Sequence, residues 1–255
     1  MKKILFTFVI IFLCNFQFIF GQTRPNIPIT GVPNQPFTSL REVMLSKTRG
    51  WDVGVSIGSA HSLADIGGTR DASRILFFDA QWKATGLHYG AFARYQFCDI
   101  FALNAGFNYG HIGGADSLSP VTSSRYNRAR YFDNDIYEIA LKTEFYLPKR
   151  YLKIPIDLYA YTGIIAFYHD PSLYHNVDGP IEIEEDFSLL QPAIPFGFGF
   201  HYTTQGNFKI GFNVGWRKTL TDYLDGEAPP AGQAKDSYFF NAINLGYYFG
   251  PRMGR

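Results

Sequence analysis

Between residues 199 and 217 apolar and polar positions alternate almost without a break. Phe200, Tyr202, Phe208, Ile210, Phe212, Val214 and Trp216 take one parity, and His201, Thr203, Lys209, Gly211, Asn213, Gly215 and Arg217 take the other, with Thr204, Gln205 and Gly206 between as a turn. Side chains of a strand leave on opposite faces at period two, so the pattern predicts two strands with one greasy face and one face of glycine, amide and charge. The same rhythm recurs over 51–61, 84–97, 100–112, 132–147, 154–168, 192–203, 207–219 and 237–249, eight candidate strands in all. Most are longer than the ~9–11 residues that cross a bilayer at a tilt.

The connections between these segments alternate in length. Those over 62–83, 113–131, 169–191 and 220–236 are long, whereas 98–99, 148–153 and 204–206 are short. Outer-membrane barrels have long outer loops and short periplasmic turns. The expected fold is therefore all-β, an eight-stranded antiparallel transmembrane β-barrel of the outer-membrane type, with both termini in the periplasm.

Parity also assigns the faces. In the third segment Phe101, Leu103, Ala105, Phe107 and Tyr109 oppose Ala102, Asn104, Gly106, Asn108 and Gly110; in the fourth Tyr137, Ile139, Leu141, Phe145 and Leu147 oppose Glu138, Lys142 and Glu144. A charged inside and an apolar outside exclude a soluble lipocalin-like barrel, which carries apolar side chains inward. Arg94, Glu138, Lys142, Glu144, Asp157, Lys209 and Arg217 all fall on the inward parity. Eight strands enclose only enough room for side chains, and buried charges must pair, so these seven are read as a closed packing network. Trp51, Tyr95, Phe97, Tyr146, Tyr202, Trp216, Tyr247 and Phe249 gather near segment ends, as the aromatic girdles of membrane barrels do.

The first 21 residues open with Lys2 and Lys3, continue apolar to Phe20 and stop at Gly21-Gln22, the shape of a secretory signal peptide. Asn15 and Gln17 interrupt a run already short for a spanning helix, which disfavours a membrane anchor. Residues 22–50, with Pro25, Pro28, Pro33 and Pro36, read as a periplasmic leader, 51–249 as the barrel and 250–255 as a periplasmic tail. A formal net charge of +1 without a basic stripe gives no electrostatic case for nucleic acid.

Candidate chemistry is sparse. His61-Ser62, His169 with Asp170, and His175 lie near the outer rim, where a lipid-modifying hydrolase would act, but their spacing fixes no nucleophile, base and orienting acid. Rim histidines of this kind are read as solvated loop residues. The acidic groups Asp133 and Asp135, the run 182–186, and Asp222, Asp225 and Glu227 lack the loop spacing of a known cation motif. No cofactor, metal or catalytic residue is expected, and the chain is read as no enzyme. Cys98 is the one cysteine left after signal cleavage; it lies in the shortest periplasmic turn, where a bond to another chain competes with a free, inert thiol.

Several segments, 58–68, 89–95, 130–145, 195–199 and above all Trp216-Arg217-Lys218-Thr219-Leu220-Thr221-Asp222-Tyr223-Leu224-Asp225, resemble the small outer-membrane barrels that include the PorG-type proteins of the type IX secretion system. The resemblance runs from Trp51 to the C-terminus. It departs from the pattern where Gly226-Glu227 stand in place of a second acid, and where Ala64-Asp65 replace a Gly-Asp pair. The resemblance implies a non-enzymatic, outer-membrane component of secretion and of the related gliding apparatus, associated with a periplasmic ring of PorK- and PorN-like proteins. Beside that reading stand two others, a stand-alone surface barrel that binds a ligand or partner through its loops, and a lipid-modifying hydrolase. The barrel is expected to be monomeric, lipid-embedded and without a folded-cargo pore.

Overall fold

The computed structural model describes residues 50–64, 66, 82–122, 124–148, 155–183, 187–227 and 235–250. The segments expected to be a signal peptide (1–21), a periplasmic leader (22–49) and a tail (251–255) lie outside them. Nine strands are present among the described residues: β1 (Gly50–Leu63), β2 (Gly86–Cys98), β3 (Phe101–Ala115), β4 (Arg130–Tyr146), β5 (Ile156–His175), the short β6 (Gly179–Ile181), β7 (Leu190–Thr203), β8 (Phe208–Thr219) and β9 (Ser237–Phe249). Each of the eight long strands coincides with one alternating segment of the sequence. β5 is the main extension, running on to His175 and carrying β6 as a small outer hairpin.

All pairings are antiparallel, in the order β4-β3-β2-β1-β9-β8-β7-β5, and β4 pairs with β5 to close the sheet. Closure leaves no long edge of unpaired backbone, the condition for strands to sit in hydrocarbon. The register, followed once round from Trp51 through Tyr95, Leu103, Thr143, Thr162, Phe196, Trp216 and Phe239, returns to β1 at His61, ten residues further along. That stagger requires the strands to lean at the ~35–45° usual for barrels.

The exterior is apolar where parity predicts it. Val55, Ile57, Ile139, Ile164, Phe198, Ile210, Ile243 and Leu245 are all exposed, with Ile139 at 69%. Two belts of rings bound this band. At the short-turn end Trp51 packs on Tyr95 (centroids 5.0 Å), Tyr95 on Phe97 (4.7 Å), Phe97 on Phe101 (5.4 Å) and Phe101 on Phe145 (5.8 Å). At the other end Tyr89, Tyr109, Tyr137 and Tyr168 are successive register partners from β2 to β5. Tyr137 and Phe145 mark the two belts on β4; their separation along a tilted strand gives ~21 Å between belts, close to the ~25 Å apolar band of membrane barrels. Tyr146, counted with the girdle on sequence, instead points inward and is buried, because its parity is that of Glu138 and Glu144.

Candidate functional site

The interior divides into three layers. Nearest the short turns, Arg94 pairs with both Asp52 and Glu144 (Nε to Oε2 2.7 Å), and Lys209 lies 3.3 Å from Asp52. Glu144 also accepts from Asn104 Nδ2 at 2.7 Å and from the Tyr146 hydroxyl. His201 Nε2 lies 3.2 Å from Asp157. Lys142 sits above, its ammonium 5.3 Å from the centre of the Tyr161 ring.

The middle layer is built on Glu138. Its carboxylate accepts from Arg217 Nη2 at 3.0 Å, Asn108 Nδ2 at 2.8 Å and the Tyr238 hydroxyl at 2.9 Å. The Arg217 guanidinium lies over Phe240, 4.2 Å from the ring centre, and donates to the Gly215 carbonyl at 2.6 Å. Gly215 is required here, since a Cβ would overlap the Tyr161 hydroxyl. All seven charges assigned to the interior by parity therefore do face it. Asp52, His201, Asn104 and Asn108 join them, and Asp52 carried the same alternation signal between Trp51 and Val53.

The outer layer departs from the expectation of a charged lumen throughout. Ile112, Phe132, Ile136, Ile165, Phe167, Leu173 and Phe240 form an apolar plug with Leu224, which is fully buried. The distinctive 216–225 segment runs up β8 and folds back over the barrel mouth. The Leu224 carbonyl accepts from Asn134 Nδ2 at 2.7 Å, and its N–H donates to Asp236 at 3.1 Å. Asp225, also fully buried, accepts from the Ile66 N–H at 2.9 Å and from the Glu227 N–H at 3.1 Å. Gly226 between them has φ +83°, a left-handed conformation natural to glycine. The acid that the resemblance leads one to expect after Asp225 is thus replaced by a turn, and Glu227 pairs with Arg130.

The β3–β4 loop is braced beside this cap, where Arg128 also lies 3.9 Å from Glu227. Arg128 Nε donates to Asp116 at 2.7 Å and Nη2 to the other oxygen at 3.0 Å. Burial works against the Arg128 charge, but its bonds to Asp116 and the nearby Glu227 and Asp225 outweigh this and hold its pKa above the ordinary value. Beside the cap, a groove of about 310 Å³ opens between Thr85, His111, Ser117, Tyr131 and Asp133. Within the barrel the space between Arg94, Glu144, Lys142 and Arg217 is only about 20 Å³, room for a water molecule.

Two of the three rim histidines, His61 and His169, differ from their expected solvated state, whereas His175 keeps part of its surface open. His169 is fully buried, stacked on Phe187 (5.6 Å) and close to Asn134. His61 is buried as well, and Ser62 beside it points to the opposite face of β1. His175 lies 3.0 Å from Asp178. Cys98 ends β2 as a free thiol turned inward and only 4% exposed. A bond from it to another chain, the expectation raised by its place in the turn, would require this end of the barrel to open. Among the described residues no group of His, Cys, Asp or Glu has the arrangement of a metal site.

A closed sheet of eight long strands, apolar and ringed by aromatics outside, charged and filled inside, defines a transmembrane β-barrel of the outer-membrane type. The chain belongs to the family described as a domain of unknown function (DUF6089), whose model matches residues 37–253. Among solved structures it is similar to Neisserial surface protein A (10% identity, TM-score 0.47, covering 78% of this chain and 97% of that one). It is also similar to Ail of Yersinia pestis (15%, 0.42, 79% and 100%) and to OprG of Pseudomonas aeruginosa (11%, 0.42, 80% and 98%). No curated protein sequence matches the chain.

Proposed function

We propose that the protein resides in the outer membrane as an anchoring or positioning component of a type IX secretion machinery, and of the related gliding apparatus, contacting a periplasmic ring through its inner turns and termini. The observation that carries this reading is the filled interior. An interior packed with paired charges around a central space of about 20 Å³, and closed above by Leu224 and the apolar plug, is not built to pass folded cargo, so the barrel serves as a fixed point in the bilayer. The resemblance of the 216–225 segment to PorG-type barrels supports the particular machine. Pull-down of the detergent-solubilised protein is the test: co-purification of PorK- and PorN-like ring proteins in stoichiometric amounts supports the reading, and a clean preparation of the barrel alone overturns it.

A second reading has its own support. The cap is held to neighbouring segments by Arg130–Glu227 and Asp225–Ile66 contacts, Arg128–Asp116 braces the β3–β4 loop beside it, and a concave groove lies alongside. A rigid outer surface of this kind suits a stand-alone barrel that binds a ligand or partner outside the cell. Deleting the outer loops would abolish that binding and leave ring association intact.

A further inference from the structure

The lipid-facing wall carries polar side chains where β1 and β9 reach their outer ends. Ser59 and His61 share the outward parity of the exposed Val53, Val55 and Ile57; Ser59 is partly exposed, whereas His61 is only 1% exposed and lies behind it, under the Phe239 and Trp82 rings. Asn241 is the register partner of Ser59, and Phe239 that of His61. His61 Nε2 lies 2.9 Å from Ser59 Oγ, and Nδ1 lies 3.4 Å from Thr85 Oγ1.

The Thr85 hydroxyl spends its proton on the Trp82 carbonyl, so toward the imidazole it only accepts. Nδ1 therefore carries the ring proton, and Nε2 is left to accept from the Ser59 hydroxyl. On the other side Asn241 Nδ2 donates to Ser59 Oγ at 3.4 Å. Phe239 stacks on the His61 ring (centroids 4.6 Å, 14°) and Trp82 meets it edge-on (4.8 Å), fixing its orientation. A hydroxyl, a base in the correct tautomer and a group orienting the base are the parts of an activated nucleophile.

Depth gives the substrate class. Ser59 stands eight residues along β1 from Trp51 of the inner belt, a climb of ~21 Å at the barrel tilt. That is the height of the outer belt, where the acyl ester carbonyls of outer-leaflet lipids lie beneath their headgroups. We propose that Ser59 and His61 form a catalytic pair that hydrolyses acyl esters of outer-leaflet lipids. Ser59 Oγ bonds to the ester carbonyl carbon while its proton passes to His61 Nε2, and the carbonyl electron pair moves onto the oxygen, beside the Asn241 amide. Collapse breaks the bond to the leaving alcohol, which takes the proton from His61. Water then attacks the acyl-serine by the same route, releasing the fatty acid and restoring the Ser59 hydroxyl.

This activity departs from the expectation that the chain carries no catalysis. It rests on the placement of the barrel in the bilayer and is independent of the anchoring role, because ring association and ester cleavage are read out separately.

The full chain, folded in detergent and checked by its gel mobility before and after boiling, is treated with a fluorophosphonate probe. It is then mixed with micelles of phosphatidylethanolamine or of lipid A, and fatty acid release is followed by mass spectrometry. Wild type is expected to be labelled on Ser59 and to release fatty acid from at least one lipid. Ser59→Ala removes both signals, His61→Gln lowers release ~100-fold or more, and Ser62→Ala leaves both unchanged. Thr85 is a positioning residue: Thr85→Val lowers release and Thr85→Ser restores it. Folded wild type that takes no probe and cleaves neither lipid overturns the assignment, as does labelling that survives Ser59→Ala.

Discussion

Arg217 of β8 reaches across the barrel axis to Glu138 of β4, with Nη2 3.0 Å from Oε1 and Nε 3.3 Å from Oε2. The two strands are not neighbours in the sheet, so this two-pronged contact ties opposite walls through the interior. Arg217→Met leaves the Glu138 carboxylate buried without its cation, at a cost of about 3–5 kcal/mol. Replacing both, as Arg217→Met with Glu138→Leu, recovers most of that loss, because an apolar pair removes the desolvation penalty on each side. Urea unfolding in detergent micelles, followed by tryptophan fluorescence, measures both; equal losses in the single and double variants would contradict this account of the pair.

The cap depends on two adjacent residues in different ways. Leu224→Ala empties part of the apolar plug and should cost about 2–5 kcal/mol. Asp225→Ala strips the acceptor from the Ile66 N–H, a buried donor worth about 1–3 kcal/mol when left unsatisfied. Both variants should be cut faster by protease in the outer loops while the strands stay resistant, and the comparison with wild type is made on whole cells.

On the outer wall, Phe198 is 61% exposed and lies four residues from Tyr202 of the inner belt, near the middle of the apolar band. Phe198→Arg should cost about 2–4 kcal/mol, whereas Tyr168→Arg at the outer belt should cost about 0–1 kcal/mol, because the penalty for charge falls toward the interface. Folding yield into lipid vesicles distinguishes the two; equal penalties would mean that the band is misplaced.

The buried thiol of Cys98 predicts that a maleimide reagent labels the protein only after boiling in detergent. The intact barrel should stay unlabelled, and Cys98→Ser should leave the pattern on non-reducing gels unchanged. Rapid labelling of the folded protein would show that the inner end opens.

Strand number, strand placement and the sign of each face were legible from alternation alone, because a period of two is a local property of the backbone and hydrocarbon outside the barrel enforces it at every position. Glu138, Arg217 and the other interior charges could be assigned by parity without knowing their partners. Which of them pair was a matter of tertiary structure, since the Arg217–Glu138 contact crosses 79 residues of chain and depends on a stagger set by the whole closed sheet. The apolar plug was hidden for the same reason: Leu224 lies in a loop whose destination no local period announces.

Ser59 and His61 show both sides of this. Neighbours in sequence drew attention to His61-Ser62, yet parity puts Ser62 on the far face and Ser59 on the near one. The alternation already held that information. Only folding brought Thr85, Trp82 and Asn241 around the pair, because those contacts join two strands and the connection before β2 through distances that the chain order does not encode.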